Sequence, residues 1–258
     1  MNTDLNQGDI VLLKQDDALS CQWSKCLISS TLLPEIPVGS FLGTESASTT
    51  FQILMRTWFP GDHTSTTKGY WLKTISYTQS DNSSQNYLLW QNGWSLAWIT
   101  LSDKGSRGER TDTSGPLIPE MIKDILPVSI HRGFLIPDSK NELKGIMSNL
   151  IFEQQFDLIC TTGGTGVTSN DITPEVTKAI IDRRLTGFEQ TMLSTSLKKT
   201  PHGMISRAVV GIASKTLIIN LPGSPKAVRE NLSAVLPALK HTLDKIHDDP
   251  GDCTTELS

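Results

Sequence analysis

After about position 93 the apolar residues follow two alternating patterns. Short runs that are apolar almost throughout read as buried strands: "WSLAWITL" (94–101), "VSIHRGFLI" (128–136), "DLICTT" (157–162) and "KTLIINL" (215–221). Stretches with helical character lie between and after them. "SGPLIPEMIKDIL" (114–126) suits a helix. Over 139–153, Leu143, Ile146, Met147, Leu150 and Ile151 recur at helical spacing behind a capping box of Ser139 and Glu142. Thr173-Pro174 offers a capping hydroxyl followed by proline at the first helical position, opening "PEVTKAIIDRR". Ser224-Pro225 repeats that opening before a long helix with the stripe Val228, Leu232, Val235, Leu236, Leu239, Leu243, Ile246. Strand and helix alternating in this way predict an α/β fold around a mostly parallel sheet.

The preceding residues read differently. β-favouring runs such as "DIVLL" and "TFQILMRTWF" are split by Pro, Gly and Ser clusters, which predicts a small β-rich domain. All six tryptophans lie within the first 98 residues, and a polar run, "TQSDNSSQN" (78–86), comes shortly before the change of pattern. A boundary near 92 divides the chain into 1–92 and 93–258. The tryptophans are expected in the core of the first part, with a binding face as the alternative. No motif before the boundary points to a chemistry, and there is no internal repeat.

Composition narrows the classes. With 258 residues and 37% hydrophobic content the chain can build one large domain or two small ones. A net charge of −4 leaves no basic excess for nucleic acid. No apolar stretch approaches the roughly 18 residues of a membrane span, and "MNTDLNQGD" lacks a signal-peptide pattern, so a cytoplasmic protein is expected. The four cysteines are too few for a disulfide scaffold. Cys21 and Cys26 could pair or share a metal, but no second ligand pair follows, and reduced thiols are expected.

Each of the four strands runs into a polar or glycine-bearing motif. These are Ser102-Asp103, Pro137-Asp138, Gly163-Gly164-Thr165-Gly166 and Pro222-Gly223-Ser224-Pro225. In a parallel sheet all four ends lie along one edge, where open α/β sheets bind their ligands. The glycine loop is not a Walker A loop, because no lysine follows it before Asp171. It is not a dinucleotide fingerprint either, because the spacing is GGTG and the helix starts only near Thr173. What remains is an anion-binding nest of backbone N–H groups, or a tight strand-to-helix turn. Asp138 and Asp171 are the candidate ligands for a Mg²⁺ facing the same anion. The alternatives are that Asp138 caps helix 139–153 and that Asp171 forms an Asx-turn before Thr173. Asp103 could act similarly or stabilise the turn "DKGSRGE". His131 and His202 have no partner at metal-binding spacing; Arg183 and Arg184 read as solvated residues near a helix end. "SLKKTP" (196–201) reads as a surface loop, with Ser206-Arg207 behind it as possible phosphate contacts.

Taken together, "TTGGTG", Asp171 with "TPE", "ISR", "NLPGSPKAV" and "TLSDKGSRGERTDTSG" resemble the MogA-type molybdopterin adenylyltransferases and, with them, the G domains of the plant and animal molybdenum-cofactor proteins, including gephyrin. The resemblance covers about 95–248 and does not extend to 1–92. It implies a three-layer α/β fold, usually a homotrimer, that binds molybdopterin. It also implies that the terminal phosphate of molybdopterin attacks the α-phosphate of ATP with Mg²⁺ assisting, so that molybdopterin-adenylate forms and pyrophosphate leaves. The family's two important aspartates match Asp138 and Asp171. Thr162, Gly163, Gly164, Thr165 and Gly166 match the loop that holds pterin and phosphate. Ser206 matches the serine near the adenylate, and Ser102 with Asp103 the SD pair of the first strand end. Pro222, Gly223 and Ser224 complete the expected substrate contacts. A molybdenum-insertion protein is a possible downstream partner. Two departures stand out. Asn170 occupies the place where the family often has a base, so any phosphate contact that base makes is either missing or supplied elsewhere, with Arg207 or Lys226 as candidates. The other is the additional N-terminal part. A non-catalytic molybdopterin carrier or scaffold is the rival reading.

Overall fold

The computed structural model describes residues 5–14, 26–29, 33–45, 49–60, 66–77 and 87–248. It divides into two compact units, Met1–Gly93 and Trp94–Ser258. Cys21, Trp23, Cys253 and the polar run 78–86 lie outside the described residues, whereas Cys160 is a free thiol in the core.

The first unit is a six-stranded sheet of β1 (Ile10–Lys14), β2 (Cys26–Ile28), β3 (Phe41–Gly43), β4 (Thr50–Pro60), β5 (Thr66–Ser76) and β6 (Leu88–Trp90). The strand order is β2-β1-β5-β4-β3-β6, with β1–β2 parallel and the other pairs antiparallel. Alternate residues of the strands turn inward, as the two-residue period of a strand requires. Val11, Leu13, Phe51, Ile53, Tyr70 and Leu72 form the core with Leu33 and Ile36. Among the described residues the tryptophans of this unit do not form that core. Trp58 and Trp90 are exposed and Trp71 is half-buried, while Tyr70 and Phe51 supply the buried aromatic bulk. Trp58 instead carries the Arg56 guanidinium and the Lys68 ammonium 5.6 and 5.3 Å from its ring centre, a use that needs an open ring face.

The second unit is built on β7 (Trp94–Leu101), α1 (Asp103–Ser106), α2 (Leu117–Lys123), β8 (Val128–Ile136), α3 (Lys140–Ser148), β9 (Leu158–Thr162), α4 (Thr173–Lys178), β10 (Arg183–Arg184), α5 (Thr186–Leu197), β11 (Val210–Ala213), β12 (Thr216–Leu221) and α6 (Pro225–Ile246). The sheet order is β10-β11-β12-β9-β7-β8. The four expected strands β8, β7, β9 and β12 are mutually parallel; β10 and β11 extend the sheet antiparallel. Every residue of β9 and β12 is buried, as expected of strands covered on both faces. On one face Leu96, Leu158, Cys160, Leu217 and Ile219 pack with α2, α5 and α6. Ala97, Ile99, Ile159 and Ile218 are buried on the other, where α4 packs on β12 and α3 on α4. The result is a three-layer α/β/α fold. Within it Cys160 is fully buried and its thiol pKa is pushed up to about 12 by desolvation, so this cysteine is an inert core residue.

Local patterns misjudged several element ends. The helix expected over 139–153 is α-helical only to Ser148; Asn149–Glu153 widen into a π-turn. The helix opened by Pro174 stops at Lys178, and Arg183–Arg184 form a strand beside β11. Thr173 does not cap that helix. Its hydroxyl donates to the Gly163 carbonyl instead, at 2.9 Å, from a fully buried position. Residues 196–197 of the supposed loop complete α5, and Pro201–Ile205 form a 3₁₀ turn.

Candidate active site

In-register pairing brings the strand ends together. Leu101 lies opposite Ile136, Thr100 opposite Thr162, and Thr162 opposite Leu221. The next residues along the chain, 102–103, 137–138, 163–166 and 222–224, therefore leave the sheet side by side. β7 and β9 are neighbours whose onward connections go to opposite faces, α2 on one and α4 on the other. That is the switch point at which an α/β sheet opens a crevice.

Two carboxylates clasp each other there, and the charge of a third, Asp171, reaches one of them. The Asp103 N–H donates to Asp138 Oδ2 at 3.2 Å, and the Asp138 N–H donates to Asp103 Oδ1 at 3.0 Å, a reciprocal clasp between the ends of β7 and β8. Asp138 is thus not the cap of α3; Ser139 is, accepting from Glu142 N–H. Burial pushes the Asp138 carboxyl above the usual carboxylate range, against the lowering effect of the Asp103 N–H bond, and the neighbouring charges of Asp103 and Asp171 add to the rise. Asp171 behaves oppositely. Burial alone would raise it, but the Thr168 hydroxyl and N–H, the Gly166 N–H and the Arg207 charge outweigh that and lower it. Its Oδ2 accepts from Thr168 N–H at 2.8 Å and Thr168 Oγ1–H at 2.7 Å, closing the turn backward rather than toward Thr173.

The glycine loop lies between these carboxylates and the last strand. Gly163 and Gly164 have φ of +95° and +63°. A Cβ on Gly163 would lie 2.5 Å from the Leu101 carbonyl oxygen, and one on Gly166 would lie 2.8 Å from Asp171 Oδ2. Only glycine lets the chain come this close to β7 and to the carboxylate. The Thr162 hydroxyl donates to the Pro222 carbonyl at 2.7 Å, so it ties two loops together. A Cβ on Gly223 would lie 3.3 Å from Gly163 Cα, which makes the approach of those loops a backbone-to-backbone one. The Ser224 hydroxyl caps α6 by accepting from Ala227 N–H.

A cleft of about 370 Å³ opens on the α2–α6 side. Ser102, Thr162, Gly223 and Ser224 are in its wall; Asp103, Asp138, Asp171, Gly163, Gly164, Thr165, Gly166, Ser206 and Pro222 do not line it. Further polar wall comes from Arg110, Thr111, Asp112, Thr113 and Ser114, which lie inside the motif TLSDKGSRGERTDTSG but were not named individually among the candidate site residues. Asp112 organises that loop. Its carboxylate accepts from Thr100 Oγ1–H (2.6 Å), Ser114 N–H (3.0 Å) and Gly115 N–H (2.9 Å), while Ser114 Oγ–H donates to the Gly223 carbonyl at 2.8 Å. An acidic residue with Ser and Gly two and three positions later is an Asx-turn signal that could have revealed it.

Arg207 is engaged with the glycine loop itself. Its N–H donates to the Thr165 carbonyl at 2.9 Å, Nε to Gly166 O at 2.5 Å and Nη2 to Asp171 O at 2.6 Å, and Nη1 pairs with Glu175. Ser206 stands beside the loop through this backbone link. His131 stacks on Trp98 and takes a contact from Lys123, which makes it a structural residue, and His202 lies exposed in the 3₁₀ turn.

Among the described residues no three His, Cys, Asp or Glu side chains form a ready-made metal cage. The donor set still suits a hard divalent cation, which takes one or two carboxylates and fills its remaining positions with phosphate oxygens and water. Asp138, raised by burial and by two neighbouring carboxylates, is a group that a cation would relieve.

A doubly covered parallel sheet with glycine turns and carboxylates at its switch point defines an α/β protein built to hold an anionic ligand. Residues 97–241 match the family described as "Probable molybdopterin binding domain", and the chain belongs to that family. It is 41% identical over 150 residues to the molybdopterin adenylyltransferase of Helicobacter pylori (strain J99), covering 57% of this chain and 85% of that protein. It is 40% identical over 168 residues to gephyrin of Dictyostelium discoideum, but spans only 23% of that longer protein. Among solved structures, the molybdopterin biosynthesis Mog protein from Mycobacterium ulcerans superposes with a TM-score of 0.57 at 34% identity, covering 61% of this chain and 99% of that one.

Proposed function

We propose that the second unit acts in molybdenum cofactor biosynthesis, transferring the adenylyl group of Mg-ATP to molybdopterin. The terminal phosphate oxygen of molybdopterin attacks the α-phosphorus of ATP. One P–O bond forms, the bond to the β-phosphate side breaks, and pyrophosphate leaves with the electron pair. Such a transfer needs positioning and charge neutralisation rather than a covalent nucleophile. The observation that carries the reading is the clasp of Asp103 with Asp138, under the charge of Asp171 at the end of the Gly163-Gly164 loop, in a chain of this family.

In this reading the N–H groups of the glycine loop hold the molybdopterin phosphate, with Thr165 and Ser206 beside it. The cleft walled by Ser102, Asp112, Thr113 and Gly223 accepts a ring system. Asp138 and Asp171 would hold Mg²⁺, which supplies charge neutralisation on the transferring phosphate. Asp103 keeps Asp138 oriented through the paired N–H bonds. A homotrimer in the cytoplasm that hands its product to a molybdenum-insertion protein completes the proposal. No helix among the described residues is long and apolar enough to cross a membrane.

The test is pyrophosphate release from Mg-ATP with and without molybdopterin. Release that depends on molybdopterin supports the adenylyltransferase. Tight molybdopterin binding without release would make the protein a carrier instead.

A further inference from the structure

Loop 163–171 has an uncommon problem of rigidity. Two of its glycines sit at positive φ, and Val167, Thr168, Ser169 and Asn170 are exposed at its tip. Nothing packs over that tip, yet it ends in Asp171, whose carboxylate must be held to a few tenths of an ångström to serve a phosphoryl-type transfer. Its internal bonds, from Thr168 to the Asp171 carboxylate, close the turn on itself but do not anchor it to the sheet.

Arg207 provides the anchor. Its backbone N–H holds Thr165 O, and three guanidinium nitrogens reach Gly166 O, Asp171 O and Glu175 in the first turn of α4. One planar group therefore clamps together the beginning of the loop, its end and the helix behind it. Arginine can do this because its donors radiate in fixed directions in one plane; the lysine ammonium is a point charge on a flexible stem. A second constraint agrees. Gly166 must lack a Cβ for the loop backbone to close on Asp171, so the grip and the carboxylate's seat belong to one arrangement.

Resting on the adenylyltransferase reading, we propose that Arg207 is a positioning residue: it sets Asp171, and with it the site's need for divalent cation, through the loop backbone and without touching the substrate phosphates. The group is placed 36 residues after the carboxylate it controls.

The experiment compares wild type, Arg207→Lys and Arg207→Ala by amide hydrogen exchange of the metal-free protein and by Mg²⁺ titration of molybdopterin-dependent pyrophosphate release. Both variants are expected to exchange about ten-fold faster across 164–172, with the sheet at wild-type rates. Both should need about ten-fold more Mg²⁺ for half-maximal rate, while the KM for ATP stays within about two-fold. Unchanged exchange in both variants overturns the clamp. So does Arg207→Lys at wild-type values in both readings, since charge alone would then suffice. A raised KM for ATP at an unchanged Mg²⁺ requirement also overturns it, by putting Arg207 on the triphosphate. Should wild type itself release no pyrophosphate, the adenylyltransferase reading fails, and the exchange rates alone decide whether the clamp exists.

Discussion

Both units of this protein are six-stranded sheets, yet they deliver their turn residues differently. In the first, β5, β4, β3 and β6 run antiparallel to their neighbours, so successive strand ends fall on opposite edges of the sheet. In the second, β7, β8, β9 and β12 run parallel, so the turn after each strand arrives at the same edge. Residues as far apart as Ser102 and Ser224 thereby wall one cleft. Polar groups also differ in use. Glu35 in the first unit bridges Arg56 and Lys68 on the sheet face, and the buried Tyr70 hydroxyl donates to Pro34 O and accepts from Ile36 N–H. These bonds fasten a loop to a sheet. In the second unit Asp103 and Asp138 clasp each other's N–H groups at the strand ends, and the Asp138 carboxyl is raised by burial and, to a smaller degree, by the charges of Asp103 and Asp171. The lesson is topological: sheet direction decides whether turn residues pool into a site or scatter as fasteners.

The sharpest way to break this contrast is to remove the pooled charge. Asp171→Asn should lower molybdopterin-dependent pyrophosphate release by at least about 100-fold while leaving the fold intact by circular dichroism. Wild-type turnover at limiting Mg²⁺ would end the metal-side role of Asp171. Glycines give the next comparison. Gly163→Ala forces a side chain into positive φ against the Leu101 backbone and should cost about 2–3 kcal/mol in urea unfolding. Gly69→Ala in the first unit meets the Phe59 ring and, at 3.2 Å, the Leu13 carbonyl but keeps an ordinary φ, and should cost less, about 1–2 kcal/mol. Equal costs would mean that the close approach at the site is not special.

Smaller effects are expected elsewhere. A chain of residues 94–258 should keep its pyrophosphate release rate within about three-fold, since all the carboxylates and glycines argued above lie within it. A larger loss would give the first unit a part in the site. The smallest effect is a matter of stability. A carboxyl raised in the folded protein stabilises it below the unfolded pKa, and that contribution disappears as pH climbs through the folded value. Asp138→Asn should therefore raise the metal-free melting temperature at pH 7 by about a degree, with the difference vanishing below about pH 4. Asp171 is lowered, so Asp171→Asn should reduce the melting temperature at pH 7, again converging with wild type in acid. Shifts of the same sign in both variants would refute the opposed environments of the two carboxylates.

Much of the site could be read before any fold was known, because strand runs and the motifs behind them are local. The four parallel strands match their expected runs within one residue at either end, and the Asp171 charge acts on Asp138. Local reading failed wherever a residue had two uses. Thr173-Pro174 looks like a cap, but the hydroxyl gains more by holding the buried Gly163 carbonyl. The tryptophans look like core, but the first unit's interior is filled by Tyr70, Phe51 and aliphatic residues. β11 was missed because "VGIA" is short and broken by glycine. Asp112 and Ser114 were quoted within a motif but not named as wall residues; the Asx-turn marks the loop's local structure, not the cleft it faces.

The sequence by itself therefore determined the sheet's direction and the order in which turns reach its edge. Periodicity and helix openings depend on near neighbours, and parallel strands result from the helices between them. Only the tertiary structure decided which polar groups serve a ligand and which serve the fold. Arg207 could have faced a phosphate; across 41 residues it grips the Gly166 carbonyl instead. That choice rests on distances between loops, and an unpaired buried carbonyl costs too much for a nearby guanidinium to be left to solvent.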